Sequence, residues 1–283
     1  MKIAKILNNN IAIAVNDAGE DVIVMGCGVA YQKKHGEEVD ESKIERMFTK
    51  SVSELGSKFE ALMKEIPPDY LEAADHIINH AKLRLGKEFA NNLYLSLTDH
   101  IYFAAQRFRQ GLQFHNRLLL ETKMLYKEEY EAGAEAIRYL NRRFSLALPE
   151  DEAALLALHF VNASTGMQMT ETMEITKVVQ AIRTIIRNYF RIEFDEDSLD
   201  YYRLMTHLKF FAQRMVAGHD YQSDCEDLQL LQMVKEKYKS SYRCMELITL
   251  FLKKEYNYYA TVSEQLYLTI HIGRIQKISQ SKE

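Results

Sequence analysis

Two stretches decide the fold: SLTDHIYFAAQRFRQG at residues 96–111 and RLMTHLKFFAQRMVAG at residues 203–218. Laid over one another, they pair Leu97 with Leu204, His100 with His207, Phe103 with Phe210, Ala105 with Ala212, Gln106 with Gln213, Arg107 with Arg214 and Gly111 with Gly218. The offset is 207 − 100 = 107 residues. A second echo sets KMLYKEEY (123–130) on KEKYKSSY (235–242), an offset of 235 − 123 = 112. At that offset Pro149–Val161 falls on Thr261–Gly273, which aligns Glu152 with Glu264, Leu156 with Leu268 and His159 with His271. Echoes in one order and nearly one register mark a duplication. A period near one hundred residues is a domain repeat and not a solenoid, because each copy is long enough to bury its own core.

Around these stretches the apolar spacing is helical. Leu55, Phe59, Leu62 and Met63 fall three and four apart until Pro67-Pro68 ends the segment. Further amphipathic segments cover broadly 69–85, 93–110, 117–143 and 149–163. The last opens with Pro149-Glu150-Asp151-Glu152, acids at the positive end of a helix dipole. Small and polar residues at Asn162–Gly166 break the pattern before another helical series begins near Glu171.

The first fifty residues read differently. IAIAV and VIVM are β-branched runs joined by Asn16-Asp17-Ala18-Gly19-Glu20, a hairpin signal, and Lys2–Leu7 is another short apolar run closed by Asn8-Asn9-Asn10. Lys43–Phe48 is read as a further strand. The expected fold class is therefore α+β multidomain: a small antiparallel β-sheet head over 1–56, followed by two duplicated all-α helical bundles over 57–168 and 169–283.

Composition bounds the function. The chain has 283 residues, 47% hydrophobic and 27% charged, with only three prolines, the balance of a folded protein with little room for disordered tracts. A net charge of −4 argues against nonspecific attraction to polyphosphate, so any nucleic acid must be recognised locally. Cys27, Cys225 and Cys244 form an odd set without CxxC spacing, which suits free thiols in a reducing compartment. No apolar run approaches the roughly 18 residues that span a bilayer, and the start lacks the features of a signal peptide; a cytoplasmic protein without membrane insertion is expected.

Of nine histidines, four recur in the repeat: His100 and His159 in the first copy, His207 and His271 in the second. Paired histidines admit two chemistries. One is metal-assisted hydrolysis, since Asp99-His100 resembles the dyad of metal phosphohydrolases; but the second copy has Thr206 before His207, and no HExxH spacing is present. The other is acceptance of a phosphoryl group, which needs a nucleophilic nitrogen and an accessible face. Arg107 and Arg214 follow His100 and His207 by about two helical turns, on the same face, where each supports added negative charge or forms a surface salt bridge.

At this point the residues resemble a known family, the BglG/SacY-type transcriptional antiterminators of bacterial sugar-utilisation operons. The matching stretches are KILNNN, VIVMG with Gly28 after it, and QKK in the head, and SLTDH, LPEDEAALLALH, THLKFFAQR and LYLTIHI in the modules; together they cover essentially the whole chain. The resemblance implies no enzyme but a regulator whose head binds, as a homodimer, a leader-RNA hairpin overlapping a terminator. It further implies two regulation domains phosphorylated on His100, His159, His207 and His271 by the sugar phosphotransferase system. A sugar-specific permease would act on the first pair to inhibit, and the phosphocarrier HPr on the second to activate. Carried over by motif, the RNA contacts are Asn10, Gly26, Cys27 and Tyr31, with Lys5 meeting a phosphate. No cofactor or metal is implied. Cys27 stands where the family usually has Arg, Tyr31 where it has Phe, and Gly273 where it tends to have Glu. A DNA-binding regulator with the same sensory modules is the alternative, weakened by a head that reads as strands rather than a helix-turn-helix.

Overall fold

The computed structural model describes residues 1–9, 11–26, 28–44, 46–49, 65–112, 114–218 and 225–280. Asn10, Cys27 and the helical reading around Leu55–Met63 lie outside the described residues.

Strands β1 (Lys2–Asn8), β2 (Ile11–Val15), β3 (Asp21–Met25) and β4 (Arg46–Thr49) form an antiparallel meander in chain order. The hairpin signal between β2 and β3 works through Asn16, whose Oδ1 accepts the N–H groups of Ala18 at 3.0 Å and Glu20 at 2.8 Å, while Gly19 supplies the left-handed φ of 77°. Register then follows: Val15 faces Asp21 and Ile13 faces Ile23. Alternation puts Ile3, Ala12, Ala14, Val22 and Val24 into one core with Val29, Ala30 and Val39 of the following loop. Of Lys43–Phe48, read as a further strand, Lys43 ends a 3-10 turn over Glu41–Lys43 capped by Asp40, and the strand itself runs Arg46–Thr49. A run this short has no periodicity to fix its start.

Ten helices follow among the described residues: α1 (Pro68–Leu85), α2 (Asn92–Arg109), α3 (Leu119–Leu125), α4 (Lys127–Phe144), α5 (Glu150–Thr165), α6 (Met169–Phe190), α7 (Leu199–Val216), α8 (Cys225–Lys237), α9 (Lys239–Tyr256) and α10 (Val262–Gln280). Their ends carry recognisable signals. Pro68 opens α1, Ser198 Oγ accepts the Tyr201 N–H at the start of α7, and the Glu171 carboxylate takes the Gln168 N–H at the start of α6.

The expected single helix over 117–143 is two helices broken at Tyr126, whose φ of −136° is not helical. Lys209 explains the break: its Nζ donates to the Leu125 carbonyl at 2.6 Å and sits 4.2 Å from the centroid of the buried Tyr126 ring, a cation over a π face. The second copy breaks at the aligned Tyr238, φ −120°, between α8 and α9.

The chain divides into two compact units: Met1–Phe114 with Glu135–Glu152, and His115–Ala134 with Ala153–Glu283. In the first, Tyr70 of α1 stacks on Phe144 of α4 at 4.4 Å and meets Tyr102 of α2 edge-on at 5.3 Å. In the second, one core gathers Leu125, Tyr126, Leu158 and Val161 with Ile175, Val179 and Ile182 of α6, Leu204, Leu208 and Phe211 of α7, Met245 and Ile248 of α9, and Leu268 and Ile272 of α10. A buried ion network lies beside it. Arg183 Nη1 reaches Glu121 Oε1 at 3.2 Å, its Nε donates to the Tyr201 hydroxyl at 2.7 Å, and Gln180 donates to Glu121 Oε2 at 3.2 Å. Glu121 is 2% exposed, so these donors are what make its charge tolerable.

Candidate functional site

The duplicated helices α2 and α7 each carry a histidine and, two turns later, an arginine, with a glutamate from the first turn of a later helix facing them. In the first unit His100 Nε2 lies 3.0 Å from Glu152 Oε2, and Arg107 Nη2 donates to Glu152 Oε1 at 2.8 Å. Glu152 is buried at 2% exposure. Burial opposes its ionisation, but the hydrogen bonds and charges of His100 and Arg107 outweigh that and hold its carboxyl below the usual carboxylate range.

In the second unit the aligned carboxylate, Glu264, is also buried, but its donors differ. The Tyr258 hydroxyl donates to its two oxygens at 3.0 and 2.9 Å, the Thr261 N–H donates to Oε2 at 3.0 Å, and Arg214 Nη2 stands off at 3.5 Å. Thr261 Oγ1 accepts the Glu264 N–H in return, completing a capping box at the start of α10. His207 lies against His271, ring centroids 4.1 Å apart. Burial, the His207 ring and Arg274 push the His271 pKa down to about 4; burial first and then Arg214 and Arg274 lower that of His207. Two neutral imidazoles with nucleophilic lone pairs result. An open pocket of about 210 Å³, lined by His207, Arg214, Glu264, Phe211 and Tyr267 among others, gives on to this site and brings a guanidinium beside the His207 ring.

His159 is half-buried on the part of α5 that belongs to the second unit, seven residues after Glu152. Asp99, next to His100, is raised by burial above the ordinary carboxylate range, and among the described residues no three His, Cys, Asp or Glu side chains gather to hold a metal. Glu152, Glu264 and Tyr258 were not singled out by residue type. The available signal was the alignment of the two glutamates in the repeat, together with the Thr261-x-x-Glu264 box.

In the head, the Ala30 N–H donates to the Asn9 carbonyl at 3.0 Å, which ties the loop after β3 to the turn after β1. Gly26 and Tyr31 therefore flank one end of the sheet beside Asn9, and the Tyr31 ring is 56% exposed. The left-handed φ of 66° at Gly28 lets the Tyr31 N–H reach the Gly28 carbonyl at 3.2 Å. Lys5 is an exposed residue of mid-β1, opposite Ile13.

Comparison with known proteins matches this layout. The family model described as CAT RNA binding domain matches residues 1–55, and the PRD domain model matches 75–163 and again 180–275. An RNA-binding sheet ahead of a twice-used helical regulatory domain defines a class: this is a regulator and not an enzyme. The chain is 48% identical over 277 residues to the transcription antiterminator LicT of Bacillus subtilis, covering 98% of this chain and 99% of that protein. It is 40% identical over 282 residues to the beta-glucoside operon antiterminator of Dickeya chrysanthemi, covering 100% and 99%. The crystal structure of a GlcT CAT-PRDI fragment superposes with a TM-score of 0.53 at 32% identity, over 58% of this chain and 98% of that one. The chain belongs to the BglG/LicT family of transcription antiterminators. Among the described residues no helix is long and apolar enough to cross a membrane.

Proposed function

We propose that this chain binds a leader-RNA hairpin through residues 1–56 as a homodimer, in the cytoplasm, and thereby prevents a terminator from forming in an operon for β-glucoside use. The name of the Dickeya chrysanthemi relative supports the operon class, and that of LicT the antiterminator role. A sheet cannot enter the deep major groove of A-form RNA but can meet its wide minor groove and distorted loops, and the end of the sheet that carries Gly26 and the exposed Tyr31 suits that task. Asn10, Cys27 and Lys5 complete the proposed contact surface.

Control is by histidine phosphorylation over two regulation domains, 57–168 and 169–283. His100 and His159 take the phosphoryl group from a sugar-specific permease and inhibit; His207 and His271 take it from HPr and activate. The observation that carries this reading is the second site: two neutral imidazoles in contact, with Arg214 beside an open pocket. A phosphoryl dianion formed there is met by a guanidinium.

Two measurements test it. The full chain should bind a family-type hairpin and leave duplex DNA unbound in a gel-shift titration; equal affinity for both rejects the RNA reading. His207→Ala combined with His271→Ala should abolish label from phosphorylated HPr in the second domain; persistent label there rejects the site assignment.

A further inference from the structure

The two copies of the regulation domain differ in where the aligned glutamate points, and we propose that this difference ranks the sites. Glu152 stands against both His100 and Arg107, whereas Glu264, although it lines the pocket beside His207, is held by Tyr258 and Thr261. The proposal rests on the reading of these histidines as phosphoryl acceptors given above.

The cause is legible one and four residues before the helix starts. Thr261 caps α10, and its N–H takes the Glu264 carboxylate; Tyr258 supplies a hydroxyl to both of its oxygens. The aligned positions in the first copy are Pro149, which has no N–H, and Leu146, which has no donor. A buried carboxylate must find partners. Deprived of its own cap, Glu152 reaches across to His100 at 3.0 Å and Arg107 at 2.8 Å, and so occupies the groups that a phosphoryl anion would use. Glu264, satisfied locally, shares the pocket wall with His207 and pairs with Arg214 only at the longer distance of 3.5 Å.

Transfer requires the imidazole lone pair to attack phosphorus while the bond from phosphorus to the donor nitrogen breaks. The donor nitrogen leaves neutral, and the histidine ring keeps its other proton and carries a dianionic phosphoryl group. At His100 the carboxylate opposes this in two ways: it engages the ring nitrogen, and it repels the arriving negative charge. Glu152 is thus a positioning residue that must be displaced before His100 accepts.

Phosphoramidate, a small donor that transfers its phosphoryl group and leaves as ammonia, separates this property from recognition of a protein donor. The full chain is incubated with it, and phosphate at His100 and His207 is followed by mass spectrometry. In the unmodified chain His207 should label faster than His100 by about ten-fold, the size of one charge-assisted hydrogen bond. Glu152→Gln should raise the His100 rate by a similar factor and leave His207 unchanged. Leu146→Tyr with Pro149→Thr, which rebuilds the local cap and keeps the glutamate, should do the same. Arg107→Gln should lower the His100 rate, whereas a merely loosened fold would raise it in all these variants. Equal rates at the two histidines in the unmodified chain, insensitivity of His100 to Glu152→Gln, or a rise in Arg107→Gln overturns the proposal. Absence of label at both histidines in every chain overturns the acceptor reading beneath it.

Discussion

His271 is the residue on which stability and chemistry meet. It is 8% exposed, pressed on the His207 ring with Arg274 and Arg203 near and Asp200 the opposing charge, and its pKa falls from 6.5 to about 4. A histidine lowered in this way binds fewer protons folded than unfolded between those two values, so its contribution is full above pH 6.5 and is lost as pH falls towards 4. At pH 5 the loss is about 2 kcal/mol. The second unit should therefore lose stability on acidification from pH 7 to 5, and His271→Gln should lose about 2 kcal/mol less over that range in denaturant titrations. An identical pH dependence in the variant would show that His271 titrates normally. Position 27 poses a different question, because a thiol stands where relatives of this type carry a forked cation. Cys27→Arg should tighten hairpin binding by about five- to ten-fold and steepen its dependence on log salt by about one contact. Unchanged or weaker binding in a gel shift would mean that the RNA surface no longer includes this position.

At the scale of elements, two glycines sit where packing leaves no room for a Cβ. A methyl on Gly133 of α4 would come 2.4 Å from the Ala153 carbonyl oxygen of α5, and a backbone atom cannot step aside. Gly133→Ala should destabilise by about 2–3 kcal/mol despite the gain of about 1 in helix propensity, lowering the denaturant midpoint with an unchanged slope. Gly273 of α10 faces the Tyr238 ring, with Cδ1 at 2.5 Å from the ideal Cβ. Gly273→Ala should cost about 1–3 kcal/mol, and Tyr238→Ala in the same chain should remove most of the clash, a coupling read from a double-mutant cycle. The helices of the first copy were legible, because their apolar spacing and end signals are local: Pro149-Glu150 stands at the start of α5, and the small and polar run at Asn162–Gly166 at its end. The breaks at Tyr126 and Tyr238 were not, since the first involves Lys209, 84 residues from the Leu125 carbonyl it meets and invisible to periodicity. The same holds for Glu121 and Arg183, a pair 62 apart that no window brings together. The histidines and arginines of the candidate site were legible through the repeat, whereas the different partners of Glu152 and Glu264 emerged only in the structure.

For the whole molecule, the duplication and the compact units do not share a boundary. Residues 115–134 lie in the first sequence copy, yet they pack within the second unit, where Leu125 and Tyr126 join the core of α6, α7, α9 and α10. Lys209 and Tyr201, which flank His207 on α7, hold this segment directly: Lys209 through the Leu125 carbonyl, and Tyr201 through a hydroxyl 3.4 Å from Met124 Sδ. The helix that carries His207 is thereby fastened to sequence from the first copy. Deleting residues 169–283 should consequently do more than remove one domain. It uncovers Leu125, Tyr126, Leu158 and Val161 and strips Glu121 of Arg183, leaving a buried apolar surface in water and a carboxylate without its guanidinium. The remaining chain should bind a hydrophobic dye several-fold more strongly per residue than the full protein and self-associate in sedimentation, and Leu125→Gln with Tyr126→Gln should reverse both effects. A truncated chain that stays dye-silent and sediments like the full protein would show that 115–134 can close a core within its own copy. The fastening to α7 would then be optional rather than part of how the two copies are held.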